Sequence, residues 1–434
     1  MEWARVLSKY KYAELRREQR RDSIIQMKDE EVRNSEGSAS GMSVRVLEEG
    51  SWGFASGKEG DAEALLERAQ RLARLSKGRI SPKIPEAASH EVIEKTEPAD
   101  SADKIRALIE ASKEMKAAGI SSRSISCTDS VTRKEFYNSL GAVIIQESGY
   151  TYLSCSAVAR SGDNIQRGAE RAWSRSGFGR IDLMKTAQEA REKALRLLTA
   201  SAPPRGRFTV VLDPEMTGVF SHEAVGHACE ADSVVERESV LADKLGKRIG
   251  NELVSIADDP AAMDFGHYTY DDEGVEAKRA LLVEKGVLRG YMNSMETAGE
   301  LGAELNGHAR AEDYSAVPIV RMSNTYFQKG ESAVDEVFAV QSGVYLKGMK
   351  GGSVDIFSGG FMFKAEEAYE IVKGEKGRLM RDVTITGNIL QTLLEVECVG
   401  NDFGTSPGIC GKFSQEAPVS DGGPHIRVRN VAIG

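Results

Sequence analysis

Within His222-Glu223-Ala224-Val225-Gly226-His227 two histidines stand five residues apart, and that interval restricts the local fold more than any other feature of the chain. On an ideal α-helix, positions i and i+5 diverge by about 140°, so two imidazoles placed there cannot reach one ion. A π-bulge, with its wider turn, returns them to nearly the same side. Gly226 tolerates such distortion best, and the spacing predicts a helix locally unwound at that glycine. The residue types point to chemistry. Imidazole nitrogens are good zinc ligands, and a carboxylate beside one of them can take a proton from an activated water. The arrangement is an HExxH metal motif with one residue too many. The chain has only six histidines, which sets this pair apart from two unrelated core or surface histidines.

The rest of the composition narrows the class. A chain of 434 residues can bury a large core and divides naturally into two domains. Its net charge of -9 is mild for that length, and no basic surface for nucleic acid is expected. No apolar segment follows the first residues as in a secretory leader, and no run of about 18 apolar residues could span a membrane. Cys127, Cys155, Cys229, Cys398 and Cys410 are scattered and odd in number, which fits a reduced, cytoplasmic protein.

Hydrophobic periodicity supplies the organisation. Residues 42–56 read as a hairpin around a Glu-Gly turn, with Val44, Val46, Trp52 and Phe54 alternating with polar neighbours. The charge-rich stretch 12–33 is compatible with a helix or with two exposed strands, and strands are preferred. Residues 61–76 form a helix with Leu65, Ala69, Leu72 and Leu75 on one stripe. Residues 81–98 read as a connector. A helix follows over 101–117, then strands over 124–130, 133–147 and 150–160, then a helix over 182–199. Segments 12–77 and 120–200 look like two similar strand–helix units, with too few identities to claim a repeat. Ser201-Ala-Pro-Pro-Arg-Gly206 ends that helix and marks the boundary between domains at 1–200 and 206–434. Beyond it the pattern is β-rich, with strands expected over 266–271, 280–291, 343–346, 353–363 and 382–399. The expected class is α+β: an N-terminal α/β domain of strand hairpins and helices, then a C-terminal β-rich domain carrying a short metal-binding helix.

A catalytic zinc takes three protein ligands and keeps one open position. The hexapeptide provides two. Glu230 shares a helical face with His227 and Glu223, and is either a ligand or an outer acceptor that orients an imidazole N–H. Cys229 reads as a small buried thiol. Cys410 lies between glycines in Gly408-Ile409-Cys410-Gly411-Lys412, where Lys412 would favour a thiolate. Spacing does not choose between Glu230 and Cys410. His308, Arg310 and Tyr314 fall in a polar loop; they could contact a substrate, although solvated loop residues are the simpler expectation. Arg321 suggests an ordinary ion pair. His90, His267 and His425 suggest surface or structural roles. Gly351-Gly352 and Gly359-Gly360 read as turns or points of close backbone approach.

HEAVGHACEAD (222–232), DDEG (271–274), LLVEKGVLRGYM (281–292), VRMSNTYF (320–327), GGSVDIFSGGFMF (351–363), VGNDFG (399–404) and GICGK (408–412) follow one another in that order. Together they resemble the TldD/PmbA family, in its metal-binding TldD-type subunit. The resemblance is dense over 206–434 and thinner over 40–200. It implies a cytoplasmic zinc metallopeptidase acting on short or unfolded peptides, with one Zn2+ per chain held by His222, His227 and Cys410. Glu223 is then the general base and Glu230 an outer partner. It also implies a dimer, either of this chain or with a metal-free PmbA/TldE-like paralogue, enclosing a chamber whose contacts come from the N-terminal domain. The short N-terminus departs from the family and suggests a trimmed first helix. Family members without the histidine motif look like non-catalytic partners, so the alternative is a regulatory or assembly subunit of a TldD/TldE-type complex.

Overall fold

A short helix α1 (Glu2–Leu7) leads into three antiparallel strands, β1 (Tyr12–Lys28), β2 (Glu31–Glu48) and β3 (Ser51–Gly57), and then helix α2 (Ala62–Leu75). The computed structural model describes residues 2–58, 60–76, 78–97 and 99–434. Tight two-residue turns join the strands. Asp29 and Glu49 take positive φ (54° and 49°), the left-handed conformation that such hairpin turns demand. After an edge strand β4 (Ser89–Ile93) and helix α3 (Ser101–Glu114), the pattern recurs as β5 (Ile120–Asn138), β6 (Val143–Ser161), β7 (Asn164–Ser174) and helix α4 (Leu183–Leu197).

The two units are structural repeats. Each packs its closing helix on its third strand through a glycine. A Cβ on Gly53 would lie 1.8 Å from the Ala69 carbonyl oxygen and 2.7 Å from Ala73 N; one on Gly168 would lie 2.2 Å from the Ala190 carbonyl oxygen and 2.4 Å from Ala194 N. The same Ala-x-x-x-Ala helix face meets a glycine of the third strand in both units, and any larger residue would push helix from sheet. Antiparallel pairing of β1 with β5, from Glu14 opposite Asn138 to Lys28 opposite Ser124, fuses the units into one sheet. Its order is β3-β2-β1-β5-β6-β4, with β7 also on β6.

Several local expectations need correction. In α2 the buried stripe is Ala62, Leu65, Leu66, Ala69 and Ala73, while Leu72 and Leu75 are exposed. In β3, Gly53 and Ala55 face the core; Trp52 and Phe54 lie on the other side, where Trp52 stacks under Arg45 at 4.1 Å. The 81–98 connector contains β4, a mostly exposed edge strand without hydrophobic alternation. The expected break before residue 150 is absent, because Gly149 sits inside β6 opposite Val131.

The second half contributes β8 (Gly206–Leu212), helix α5 (Pro214–Val219), β9 (Ile256–Asp258), β10 (Ala280–Glu284), β11 (Val287–Leu288), β12 (Ala309–Arg310), β13 (Ile319–Val320) and β14 (Asn324–Phe327). Then come β15 (Ser342–Asp355), β16 (Gly360–Val372), β17 (Glu375–Met380), β18 (Thr384–Asn388), β19 (Val396–Val399), β20 (Gly404–Lys412), β21 (Gln415–Gly423) and β22 (Ile426–Ile433). The pairings β15-β8-β22-β18-β16 close back on β15, so these five strands form a barrel. A second sheet runs β11-β10-β9-β14-β21-β20. One apolar core spans both, including Val210, Leu212, Phe220, Leu346, Phe363, Val419 and Val428. The overall class is α+β and mostly strand, as expected. Residues 266–271 form a loop instead of a strand, and 382–399 is divided by a helix, Ile389–Leu394. No helix among the described residues is long and apolar enough to cross a membrane.

The halves are pinned by ion pairs to buried carboxylates. Arg45 of β2 bridges Glu14 and Glu273, each at 2.7 Å, and Arg196 of α4 grips Glu367 of β16 at 2.6 Å.

Candidate metal centre

The motif helix begins where β8 leaves the barrel. Asp213 caps it by accepting from Met216 N at 2.8 Å, and Pro214 fits the first turn because its missing N–H needs no partner there. After α5 the helix widens into a π-helix over Phe220–Gly226. The backbone N–H of His227 bonds to the carbonyl of His222, an i to i+5 bond joining the two histidines themselves. Ser221 Oγ donates to the Thr217 carbonyl at 2.9 Å, a side-chain bond that competes with the regular helical ladder. The expected widening is present, and the imidazole centroids lie 5.1 Å apart, nearly perpendicular.

Gly226 plays a different part from the one expected. Its backbone is ordinary right-handed helix (φ -56°, ψ -60°). What it provides is space: a Cβ there would lie 2.1 Å from Met322 Sδ. Gly226→Ala should lower stability by about 1–3 kcal/mol through overpacking. The double substitution with Met322→Ala should recover part of the loss in a denaturant melt, whereas strict additivity would contradict this account.

Three donors converge. One ligand atom each from His222, His227 and Cys410 lies within 4.8 Å of the others. Cys410 stands on β20, opposite Ala417 of β21, and its Sγ is 3.5 Å from His227 Nε2. A tetrahedral zinc with its usual Zn–S and Zn–N bonds separates S from N by about 3.5 Å, the spacing these two donors have. Both rings are held from behind by carboxylates. His227 Nδ1 lies 3.0 Å from Glu230 Oε2, and His222 Nδ1 lies 2.7 Å from Asp421 Oδ1. The second contact is close in distance, but neither atom has a hydrogen bond of good angle, so a small ring rotation would form it. With each Nδ1 facing a carboxylate, Nε2 is left for an ion, the pattern that supports metal-binding histidines. The donor set fits zinc.

The electrostatics agree. Burial would raise the Cys410 thiol, but His222 and His227 outweigh it and bring it down to about 5. Burial would lower both imidazoles. Asp421 and Cys410 instead hold His222 well above its usual value, and Glu230 and Cys410 bring His227 up to about 9. The thiolate thus owes its charge to the imidazoles and not to Lys412, as the sequence suggested. Lys412 Nζ lies 2.7 Å from Asp232 and 3.2 Å from Glu230. Burial would raise Glu230 as well; His227 and Lys412 outweigh it and keep it below the ordinary carboxylate range. Burial pushes the Cys229 thiol up, as suits an inert core residue.

Glu223 stands at the mouth. Its Oε2 is 3.9 Å from His227 Nε2, and its side chain is 34% exposed against 4% for His222. Asp421 was missed by the sequence reading. Its only signal was a place in the hairpin that carries Cys410, on the strand face set by alternation. Arg321 forms no ion pair among the described residues; it is buried and donates to the carbonyls of Cys410 and Gln415, fixing the thiol's strand.

The polar-loop residues do not join the centre. His308 is fully buried, with Nε2 3.0 Å from Asp258 and Nδ1 2.9 Å from Asn306, which corrects the expectation of a solvated loop residue. Arg310 donates to the carbonyls of Met322 and Pro418. Tyr314 packs its ring over Gly41 of β2. His267 and His425 are structural, held by Glu94 and Asp402, and His90 leans on the Tyr270 ring.

A barrel-and-sheet half that presents a buried His–His–Cys cluster beneath a glutamate defines a protein with a candidate hydrolytic metal centre. Comparison with known proteins identifies the lineage. Models of the first, central and C-terminal domains of PmbA/TldA metallopeptidases match residues 13–76, 88–198 and 205–434. The chain belongs to the TldD/PmbA family. It is 41% identical, over 99% of its length and 96% of the relative's, to a Methanothermobacter thermautotrophicus protein named metalloprotease. It is 36% identical, over 73% of its length and 72% of the relative's, to a Saccharolobus solfataricus protein named zinc metalloprotease TldD homolog. Two crystal structures share the fold. A Thermotoga maritima protein described as a candidate modulator of DNA gyrase has a TM-score of 0.82 at 22% identity, covering 98% of this chain and 96% of its own. TldE from Thermococcus kodakarensis has a TM-score of 0.79 at 19% identity, covering 100% of this chain and 99% of its own.

Proposed function

We propose that this chain is a zinc-dependent metallopeptidase that hydrolyses short or unfolded peptides, with one ion held by His222, His227 and Cys410. The observation that carries the reading is the convergence of these three donors, with both Nδ1 atoms facing carboxylates. A zinc ion bound there would acidify a water and polarise a peptide carbonyl. Glu223, adjacent in sequence to His222 and open to solvent, takes the proton from the attacking water and returns it to the leaving amine. Glu230 and Asp421 hold the imidazoles in orientation, and Lys412 keeps Glu230 ionised. The barrel half acts as the catalytic domain. Residues 1–200 supply chamber walls and dimer contacts, either with a second copy or with a metal-free TldE-like paralogue, and the protein works in the cytoplasm.

Metal loading has a predictable proton cost. At pH 7 both imidazoles of the metal-free centre are protonated and Cys410 is already a thiolate. Ligands bind metal deprotonated, so zinc should release about two protons, both from histidine. Affinity should rise with pH through about 9, where His227 gives up its proton, and level off only once His222 is neutral as well. Calorimetry in buffers of different ionisation enthalpy measures the proton count. Release of one proton, with affinity flat above pH 7, would contradict the assignment.

The metallopeptidase and assembly-subunit readings separate in one experiment. Purified protein is assayed for zinc and for cleavage of an unstructured peptide, alone and with a TldE-like partner. Stoichiometric zinc with partner-independent or partner-dependent cleavage supports the enzyme. Zinc-free protein that forms the complex without cleavage supports the assembly role.

A further inference from the structure

The long N-terminal sheet and the loops of the second half enclose a cleft that the metal chemistry does not use. It lies across the β20–β21 hairpin from the donors. Along β21, Asp421 faces His222, whereas Ser420 faces Phe265 and Asp264; alternate residues of a strand point to opposite faces. Phe265 and Pro418 line the cleft.

Most charges on its wall are cancelled by neighbours. Lys134 is held by Asp272 at 2.8 Å, Arg20 by Asp22 at 2.9 Å, and Arg175 and His267 both close on Glu94. Two are not. Arg310 directs Nη1 to two backbone carbonyls and stacks 4.9 Å from the Tyr268 ring centre, and among the described residues no carboxylate lies within ion-pair distance of it. Glu18 is only 4% exposed, yet among the described residues it accepts no hydrogen bond and joins no ion pair. Burial raises Glu18 against the pull of Lys134 and Arg16, and lowers Arg310 against that of Asp272 and Asp258, none of which touches its charged group. Both feel the same carboxylate, Asp272, so they share one neighbourhood. Protein interiors rarely retain a charge without an opposite charge in contact, and here one of each sign faces a common space. That space is about 150 Å³, several times the roughly 10–15 Å³ needed to admit one water. Tyr150, Phe265 and Tyr270 add aromatic wall.

We propose that this cleft binds a small α-amino-acid zwitterion, either a free amino acid or a dipeptide, with its carboxylate on Arg310 and its ammonium on Glu18. The site is separate from the metal centre, and binding needs neither zinc nor the hydrolase reading.

The test is isothermal titration calorimetry of the full chain carrying Glu223→Gln, which prevents turnover. The probes are L-alanine, L-alanyl-L-alanine, N-acetyl-alanyl-alanine and alanyl-alanine amide. At least one zwitterion should bind once per chain, and the tighter of the two reports the span between the charged groups. Each blocked dipeptide should bind about tenfold more weakly or worse, the scale of one lost charge-assisted hydrogen bond. Adding Glu18→Gln should weaken the zwitterion about tenfold and remove discrimination against the acetylated form. Adding Arg310→Gln should do the same for the amide. Adding His222→Ala should change none of this. If Arg310→Gln melts early, Glu18→Gln, which removes no internal hydrogen bond, decides together with the blocked ligands. The proposal fails if neither zwitterion binds, if blocked and free forms bind alike, if Glu18→Gln has no effect, or if binding disappears with His222→Ala.

Discussion

Glu223→Gln is expected to bind zinc at the wild-type ratio while peptide hydrolysis falls by roughly 10²–10⁴-fold, the range that a positioned general base contributes. The two properties separate because Glu223 is not among the converging donors, and its carboxylate lies 3.9 Å from His227 Nε2. Glutamine keeps the shape and loses the capacity to hold a proton. Because the side chain is 34% exposed, its amide can be hydrated, and the fold should melt within about 0.5 kcal/mol of wild type. Equal activity in the variant would remove Glu223 from the mechanism. Loss of zinc together with activity would make it a ligand.

Cys410→Ala is expected to act at the preceding step. It removes the only donor that comes from the β20–β21 hairpin, so zinc affinity should fall by more than the roughly 10–100-fold typical of losing an outer hydrogen-bond partner. Glu230→Gln supplies the comparison. Its carboxylate lies behind the His227 ring, 3.0 Å from Nδ1, and its loss should cost affinity within that smaller range. The order of the two variants is the informative result. If Glu230→Gln abolished binding and Cys410→Ala retained it, the carboxylate would be the third ligand. The alanine variant also leaves His222 and His227 without the thiolate that raises both, so they should titrate closer to the ordinary histidine range.

The sequence disclosed the centre unevenly, for physical reasons. Periodicity is a local property, so five-residue spacing was enough to demand a widened helical turn. The glycine beside it was harder to interpret, because two causes select glycine equally well. Conformational freedom was the visible one; Met322, 96 residues further along, was the operative one. Contacts across the fold leave no trace in spacing. Cys410 and Glu230 therefore stood level as third ligands until the resemblance distinguished them, and Asp421 escaped notice although it closes behind His222. Lys412 is adjacent to the thiol in sequence but acts on Glu230, since position along a strand does not say which neighbours a side chain meets. In the fold, helix positions were legible and long strands were not. Gly149 resembled a break, but it lies within a strand where a Cβ would approach the Ser130 carbonyl to 2.8 Å. The repeat was suspected from element order and becomes evident only in the matching contacts of Gly53 and Gly168.

Zinc K-edge X-ray absorption on the zinc-loaded wild-type protein tests the central claim most directly. The account predicts one ion per chain, with one sulfur at about 2.3 Å and two imidazole nitrogens at about 2.0–2.1 Å. A spectrum fitted by nitrogen and oxygen alone, or protein that takes up no zinc, would contradict it.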